Sequence, residues 1–206
     1  MEKLEHKISY IIIGCNQAEY LDNCLSSISN QTPPPFEIIY VDSSTDDSMK
    51  VAGRYTPNVY FIEKCGANPA RNYGASKATG DFLVFVDADN ELSEKAAEEI
   101  NKEIKSGLRV GPLSWASRRF SLREVVVDVV LNRFAYKAWP ACLVEKELFE
   151  RAGGFQENYA GINDIATIGL RLRHISPAKR MKAGLYTNKD PFYEKGFWKR
   201  LAEWLK

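Results

Sequence analysis

The sequence predicts an α/β fold: a mostly parallel central sheet with helices on both faces and a short helical C-terminal tail. Three observations carry this expectation. Four apolar runs, ISYIII (8–13), FEIIYV (36–41), NVYFIE (58–63) and DFLVFV (81–86), are near-continuous rather than alternating, as in strands buried on both faces. Segments of helical period separate them, and a strand–helix alternation implies crossover connections and parallel strands. The chain has 206 residues, 45% apolar and 12% aromatic, enough for the core of one large domain.

Each element has its own signal. After the first run, AEYLDNCLSSISNQ places Tyr20, Leu21, Cys24, Leu25 and Ile28 at helical spacing. A proline loop, Pro33–Pro35, leads into the second strand. STDDS reads as a helix start, with Ser44 or Thr45 as cap. NPARNYGASKATG reads as a helix closed by Gly80. Ser93 is placed to cap a helix running to about residue 105, with Ala96, Ala97, Ile100 and Ile104 inward. Residues 107–120 read as loop, and LREVVVDVVLNRFAY (122–136) as either a helix or a strand with a helix. WPACLVEKELFERAGGF reads as strand, helix and glycine turn, and GINDIATIGLRLRHI places Asp164 near the start of another helix. The expected organisation is one domain in two halves, residues 1–106 and 107–190, followed by an amphipathic tail over 191–206.

Composition narrows the class. No apolar stretch approaches the roughly 18–20 residues that cross a bilayer. The N-terminus, MEKLEHK, is charged and leads straight into a strand, which argues against a signal peptide and for a cytoplasmic protein. Cys15, Cys24, Cys65 and Cys142 show no CxxC spacing, and His6 and His174 stand apart from them, the pattern of scattered thiols rather than a zinc site. Net charge is +1, but residues 1–104 hold 9 Lys and Arg against 17 Asp and Glu (net −8), and 105–206 hold 19 against 10 (net +9). The acidic half suits a metal; the basic half suits an anionic partner or is a set of solvated helix faces.

In parallel sheets ligands bind outside the carboxyl ends of the strands. Those ends here carry Gly14–Cys15–Asn16, Asp42–Ser43–Ser44 and Asp87–Ala88–Asp89. Burying an unpaired carboxylate is costly, so Asp87 and Asp89 mark where their strand emerges. Two carboxylates one residue apart can approach a single divalent ion, and Mn2+ or Mg2+ favours oxygen ligands together with substrate phosphates. Neither a GxxxxGK[ST] loop nor a GxGxxG turn follows a strand, so a nucleoside diphosphate here would be held through a metal.

Four blocks, ISYIIIGCNQAEYLDNCLSSISNQ, EIIYVDSSTDDS, NPARNYGASKATGDFLVFVDADN and LFERAGGFQENYAGINDIATIGLRLR, resemble family 2 glycosyltransferases of the GT-A fold over roughly residues 8–174. The resemblance implies an inverting, metal-dependent transfer of a sugar from a nucleoside-diphosphate sugar, UDP-sugar favoured, to a glycan, lipid-linked or protein acceptor. It implies that Asp42 reads the nucleotide base, that Gly14, Cys15 and Asn16 line the same pocket, and that Arg71 lies near base and phosphates. It also implies that Asp87, Ala88 and Asp89 form the DxD motif, with Asp89 on the metal and Asp87 nearer the ribose or sugar, and that Asp164 is the general base.

The chain departs from the family pattern at three places. Ser43 replaces a second aspartate, Asn163 replaces the first member of the acidic pair, and a late histidine ligand is missing, leaving Asn188 or Asp190 as stand-ins. Trp115 and Trp139 fit either sugar stacking or core packing. The tail, with Phe197, Trp198 and Trp204 among Lys195, Lys199 and Arg200, fits a closing helix on the sheet, a homodimer contact, or an interfacial helix on the inner membrane face. A nucleotidyltransferase and a noncatalytic nucleotide-sugar or polyanion binder are the competing functions. Nucleic acid is not expected as a partner, because basic residues before the tail are not clustered with aromatics.

Overall fold

Successive side chains of a strand point to opposite faces of the sheet, so a strand apolar at every position needs cover on both. The computed structural model describes residues 6–63, 66–115, 141–157, 168, 171–172 and 175–187, and among them that cover is present. The central strands are β1 (Ile8–Gly14), β2 (Glu37–Asp42) and β4 (Phe82–Asp87), whereas β3 (Val59–Phe61), expected to be covered on both faces, is an edge strand with Phe61 exposed. The helices are α1 (Ala18–Ser29), α2 (Ser48–Ala52), α3 (Ala67–Lys77), α4 (Ala96–Lys105) and α5 (Lys146–Arg151). Ile8, Tyr10, Ile12, Tyr40, Val84 and Val86 pack with Leu21, Leu25 and Ile28 of α1 and Ile100 of α4. The intervening Ile11, Ile39, Val41, Leu83 and Phe85 pack on the other side with Ala70 and Ala75 of α3 and Leu148 and Phe149 of α5. Ile168 and Leu172, both helical, join this second layer.

The six-stranded sheet has the order β3-β2-β1-β4-β8-β6, with β6 at Val110–Pro112 and β8 at Ala141–Glu145. The first four strands are parallel; β8 runs antiparallel to both β4 and β6. The second half of the chain thus completes the sheet begun by the first. A smaller sheet, in the order β5-β9-β7, joins β5 (Asn90–Leu92), β9 (Gly184–Thr187) and β7 (Ser114–Trp115).

Several elements differ from expectation. Helix α2 begins at Ser48, and Ser44 caps nothing: its hydroxyl donates to Asp42 instead. Helix α3 ends at Lys77, before Gly80. Gly80 is needed for space, since a Cβ there would lie 2.5 Å from Ser9 Oγ and 2.7 Å from the Lys7 carbonyl. Helix α4 starts at Ala96, after a turn in which the Ala96 amide donates to the Ser93 carbonyl. The segment read as loop after residue 107 contributes β6 and β7, and β5 and β9 carry no strand signal of their own. Residues 122–136 and the tail lie outside the described residues.

Candidate nucleotide-sugar site

Register brings the strand ends together. Gly14 pairs with Asp42 across β1–β2, and Ile13 pairs with Asp87 across β1–β4. Outside these ends lies an open cleft of about 280 Å³, lined by Gly14, Cys15, Gln17, Ser43 and the Asp87–Ala88–Asp89 turn, and by Gly66, Ala67, Ala70 and Arg71 at the start of α3. Helix α3 thus presents the amide end of its dipole beside two carboxylates, as suits an anion that arrives with a cation.

Arg71 is almost fully buried, with a side chain 4% exposed against 36% for its partner Asp87. Its Nη2 donates to Asp87 Oδ1 at 2.8 Å, and its Nη1 donates to Asn68 Oδ1 at 3.2 Å. The guanidinium carbon stands over the Phe155 ring, 5.6 Å from its centroid. One carboxylate oxygen of the DxD pair is therefore already held by a cation, and Asp89, half-buried like Asp87, lines the same cleft. Behind them lies the fully buried Cys24, whose Sγ donates weakly to the Asp87 carbonyl at 3.8 Å. Burial pushes this thiol well up, and the charges of Asp89, Asp87 and Glu91 push it further. Negative charge therefore converges on this turn.

Asp42 is fully buried and is not among the residues lining the cleft. Its Oδ1 accepts hydrogen bonds from Tyr40 Oη at 2.9 Å and Ser44 Oγ at 2.5 Å, while its Oδ2 is buried with no hydrogen-bond partner among the described residues. Burial, then the Asp42 charge, raises the Tyr40 phenol, which therefore stays a donor. Gly14 is obligatory beside this pair, because a Cβ there would fall on the Tyr40 hydroxyl.

The first two loops of the rim are stitched together. Asn16 adopts φ +55°, its amide donates to Ser44 Oγ at 2.7 Å, and its Oδ1 accepts from the Thr45 amide at 3.0 Å. Asp46 joins the starts of two helices: it accepts from the Ala18 amide of α1 at 3.2 Å and from the Ser48 amide of α2 at 3.0 Å.

The structure thus brings Gly14, Cys15, Arg71, Asp87, Ala88 and Asp89 to one cleft, with Asn16 and Asp42 in the adjoining wall. Asn163, Asp164, Trp139, His174, Asn188, Asp190 and Cys65 lie outside the described residues, and Trp115 ends β7. Among the described residues, no three His, Cys, Asp or Glu side chains converge as a ready-made metal cage. No described helix is long and apolar enough to cross a membrane. The lining by Gln17, Ala67 and Ala70 was not anticipated; for the two alanines the signal was the small face of α3, where Ala67, Ala70, Arg71 and Gly74 follow the i, i+3, i+4 rule.

Comparison with known proteins gives this arrangement a context. The model of Glycosyl transferase family 2 matches residues 9–119. A poly(ribitol-phosphate) beta-glucosyltransferase of Bacillus spizizenii is 30% identical over 163 residues, covering 70% of this chain but only 26% of that protein. A mannosyltransferase of Pyrobaculum calidifontis, solved in complex with GDP-Man and Mn2+, superposes with TM-score 0.73 at 20% identity over 97% of this chain and 62% of that one. Residues 1–349 of TarS from S. aureus, solved with UDP-GlcNAc, superpose with TM-score 0.69 at 18% identity over 92% of this chain and 61% of that one. The two structural likenesses establish the GT-A fold. With more than half its length matched by the family model, the chain belongs to glycosyl transferase family 2.

Proposed function

We propose that this chain transfers a sugar from a nucleoside-diphosphate sugar, by preference a UDP-sugar, to an acceptor hydroxyl with inversion at the anomeric carbon. The observation that carries the reading is the cleft itself, in which the DxD turn ending β4, the amino end of α3 and the β1–α1 loop face one space. Two neighbours of the same fold, solved with GDP-Man and Mn2+ and with UDP-GlcNAc, support it.

The donor set suits a hard divalent ion such as Mn2+ or Mg2+, because the groups that face the cleft at this turn are carboxylates and the nearby Cys24 thiol is buried and kept protonated. Asp89, with Asp87, would hold that ion, which supplies charge neutralisation for a departing diphosphate. Arg71 fixes Asp87 and adds positive charge to the diphosphate side of the cleft. Asp42, whose Oδ2 is buried with no hydrogen-bond partner among the described residues, is the acceptor for a base N–H. Gly14, Cys15 and Asn16 form the wall against the base. Asp164 takes the proton of the acceptor hydroxyl as its oxygen bonds to the anomeric carbon and the bond to the diphosphate breaks. Residues 1–106 thereby serve the donor and 107–190 the acceptor, which is a glycan, a lipid-linked sugar or a protein.

Calorimetric titration with UDP and with GDP, each with and without MnCl2, tests the donor half of this reading. The expected result is metal-dependent binding of one nucleotide, weakened at least tenfold in Asp89→Asn, a change that keeps the shape and removes the charge. Equal binding with EDTA, or an unaffected Asp89→Asn, would remove the metal from the account. Unchanged donor binding together with an absence of turnover would favour the noncatalytic binder.

A further inference from the structure

The glycine-containing turn after α5 is bonded to α3 by a set of side-chain-to-backbone contacts. Asn72 Nδ2 donates to the Phe155 carbonyl at 2.9 Å, and the Phe155 amide donates back to Asn72 Oδ1 at 2.8 Å. One side-chain amide thus satisfies both polar groups of one backbone residue, as a neighbouring strand would. Asn68, one turn earlier, donates to the Gln156 carbonyl at 2.9 Å and accepts from Arg71. Asn72 also donates to Glu157 Oε1 at 3.0 Å, and Arg171 donates to the Gly154 carbonyl at 3.1 Å.

Gly154 makes the approach feasible. It sits at φ +65°, and a Cβ there would lie 2.8 Å from Asn72 Oδ1. The turn therefore needs a residue that tolerates the left-handed region and has no side chain at this point. Beyond it, Phe155 is buried against Phe85 of β4, at 4.9 Å between ring centroids, and against Phe149 of α5 at 5.5 Å. On the Phe155 ring also stands the Arg71 guanidinium.

We infer that Asn72 and Asn68 are positioning residues of the donor site: they clasp the Gly153–Glu157 turn to α3, holding Phe155 under Arg71 and so fixing the Arg71–Asp87 pair. The inference rests on the proposed donor role of the cleft. A guanidinium with two side-chain acceptors and a ring beneath it has little rotational freedom, and that preorganisation is what diphosphate binding would exploit. Neither asparagine lines the cleft, so each acts through Arg71.

The test uses the full chain with two ligand-free readouts and one ligand readout. In Asn72→Ala, the Phe155 amide should exchange with solvent at least tenfold faster, and the Arg71 side-chain NMR signal should shift. Affinity for UDP with MnCl2 should fall about 5- to 20-fold, while the same substitution on an Arg71→Ala background should change affinity no further. Asn68→Ala, which spares both Phe155 bonds, should reproduce the affinity loss and carries the test if Asn72→Ala folds poorly. An Arg71 signal that stays put, or affinity losses that multiply with Arg71→Ala, would overturn the inference. If the wild-type chain binds neither UDP nor GDP, the donor reading falls and takes the functional role with it. The exchange and NMR shifts would still support the clasp as the holder of Arg71.

Discussion

At the scale of single residues, chemistry at the rim is set by what each side chain already holds. Asp87 and Asp89 look equivalent in the sequence and both line the cleft, and a buried arginine already holds Asp87. No sequence pattern announced the burial of Arg71: a helical arginine is usually exposed, and tertiary contact with Phe155 and Asp87 decides otherwise. The thiols divide in the same way. Cys15 is half-buried and lines the cleft, whereas Cys24 and Cys142 are buried, and Cys24 is further suppressed by the neighbouring carboxylates. Brief alkylation at pH 8 followed by peptide mapping should label Cys15 and leave Cys24 and Cys142 unmodified, because the thiolate is the reactive form. Excess UDP with MnCl2 should slow the labelling of Cys15. Labelling of Cys24 in the folded protein would contradict the burial on which the electrostatics of the DxD turn rests.

At the scale of elements, strand runs buried on both faces were legible, because continuous apolarity is a local signal. The short strands were not. Asn90 pairs with Thr187 and Ser114 with Gly184, so these two- to four-residue strands are specified by partners distant in the chain rather than by their own composition. Helix α3 was legible as a helix but not as a wall of the site. Its small residues have a reason: a Cβ at Gly74 would lie 2.5 Å from Ile11 Cγ2 and 3.2 Å from Val41 Cγ2. Gly74→Ala should push α3 off β1 and β2 and cost about 1–3 kcal/mol in urea unfolding, despite the better helix propensity of alanine. A neutral or stabilising effect would show that α3 sits farther from the sheet. The reading of STDDS as a helix start misplaced the cap by a few residues. Asp46, rather than Ser44, serves the amide ends of α1 and α2. Burial works to raise the Asp46 carboxyl, but the Ser48 and Ala18 hydrogen bonds outweigh it and hold it below the usual carboxylate value. A lowered folded pKa gives stability that is present above the unfolded value and lost as pH falls through the folded one. Asp46→Ala should therefore cost about 0.5–1 kcal/mol at pH 7, the low end for a cap because the group is exposed and screened. That difference should vanish in strong acid. A cost that persists at low pH would assign it to packing instead.

At the scale of the whole molecule, the acidic and basic halves of the sequence share one sheet, since β8 and β6 extend the edge begun by β4. The cleft draws its described residues from the first half, where the family model also matches. The second half reaches it through the Gly153–Glu157 turn, which precedes Asp164 in the chain and touches Arg71 through Phe155. That Gly14, Cys15, Asp87 and Asp89 share one rim could be read from strand ends alone, because parallel topology sends every carboxyl end to one side. What could not be read was the burial of Asp42 beneath Ser44, which depends on a phenol and a hydroxyl competing for its oxygen. The chain spans about a quarter of the length of the glucosyltransferase it resembles.

The most direct measurement is nucleoside diphosphate release from a panel of UDP-, GDP- and dTDP-sugars, with MnCl2, MgCl2 or EDTA, for the wild type, Asp89→Ala and Asp164→Ala. The account predicts slow, metal-dependent release from one donor, UDP-linked by preference, lowered at least a hundredfold in either variant. Release that survives EDTA and both substitutions, or none from any donor alongside metal-independent binding, would contradict it.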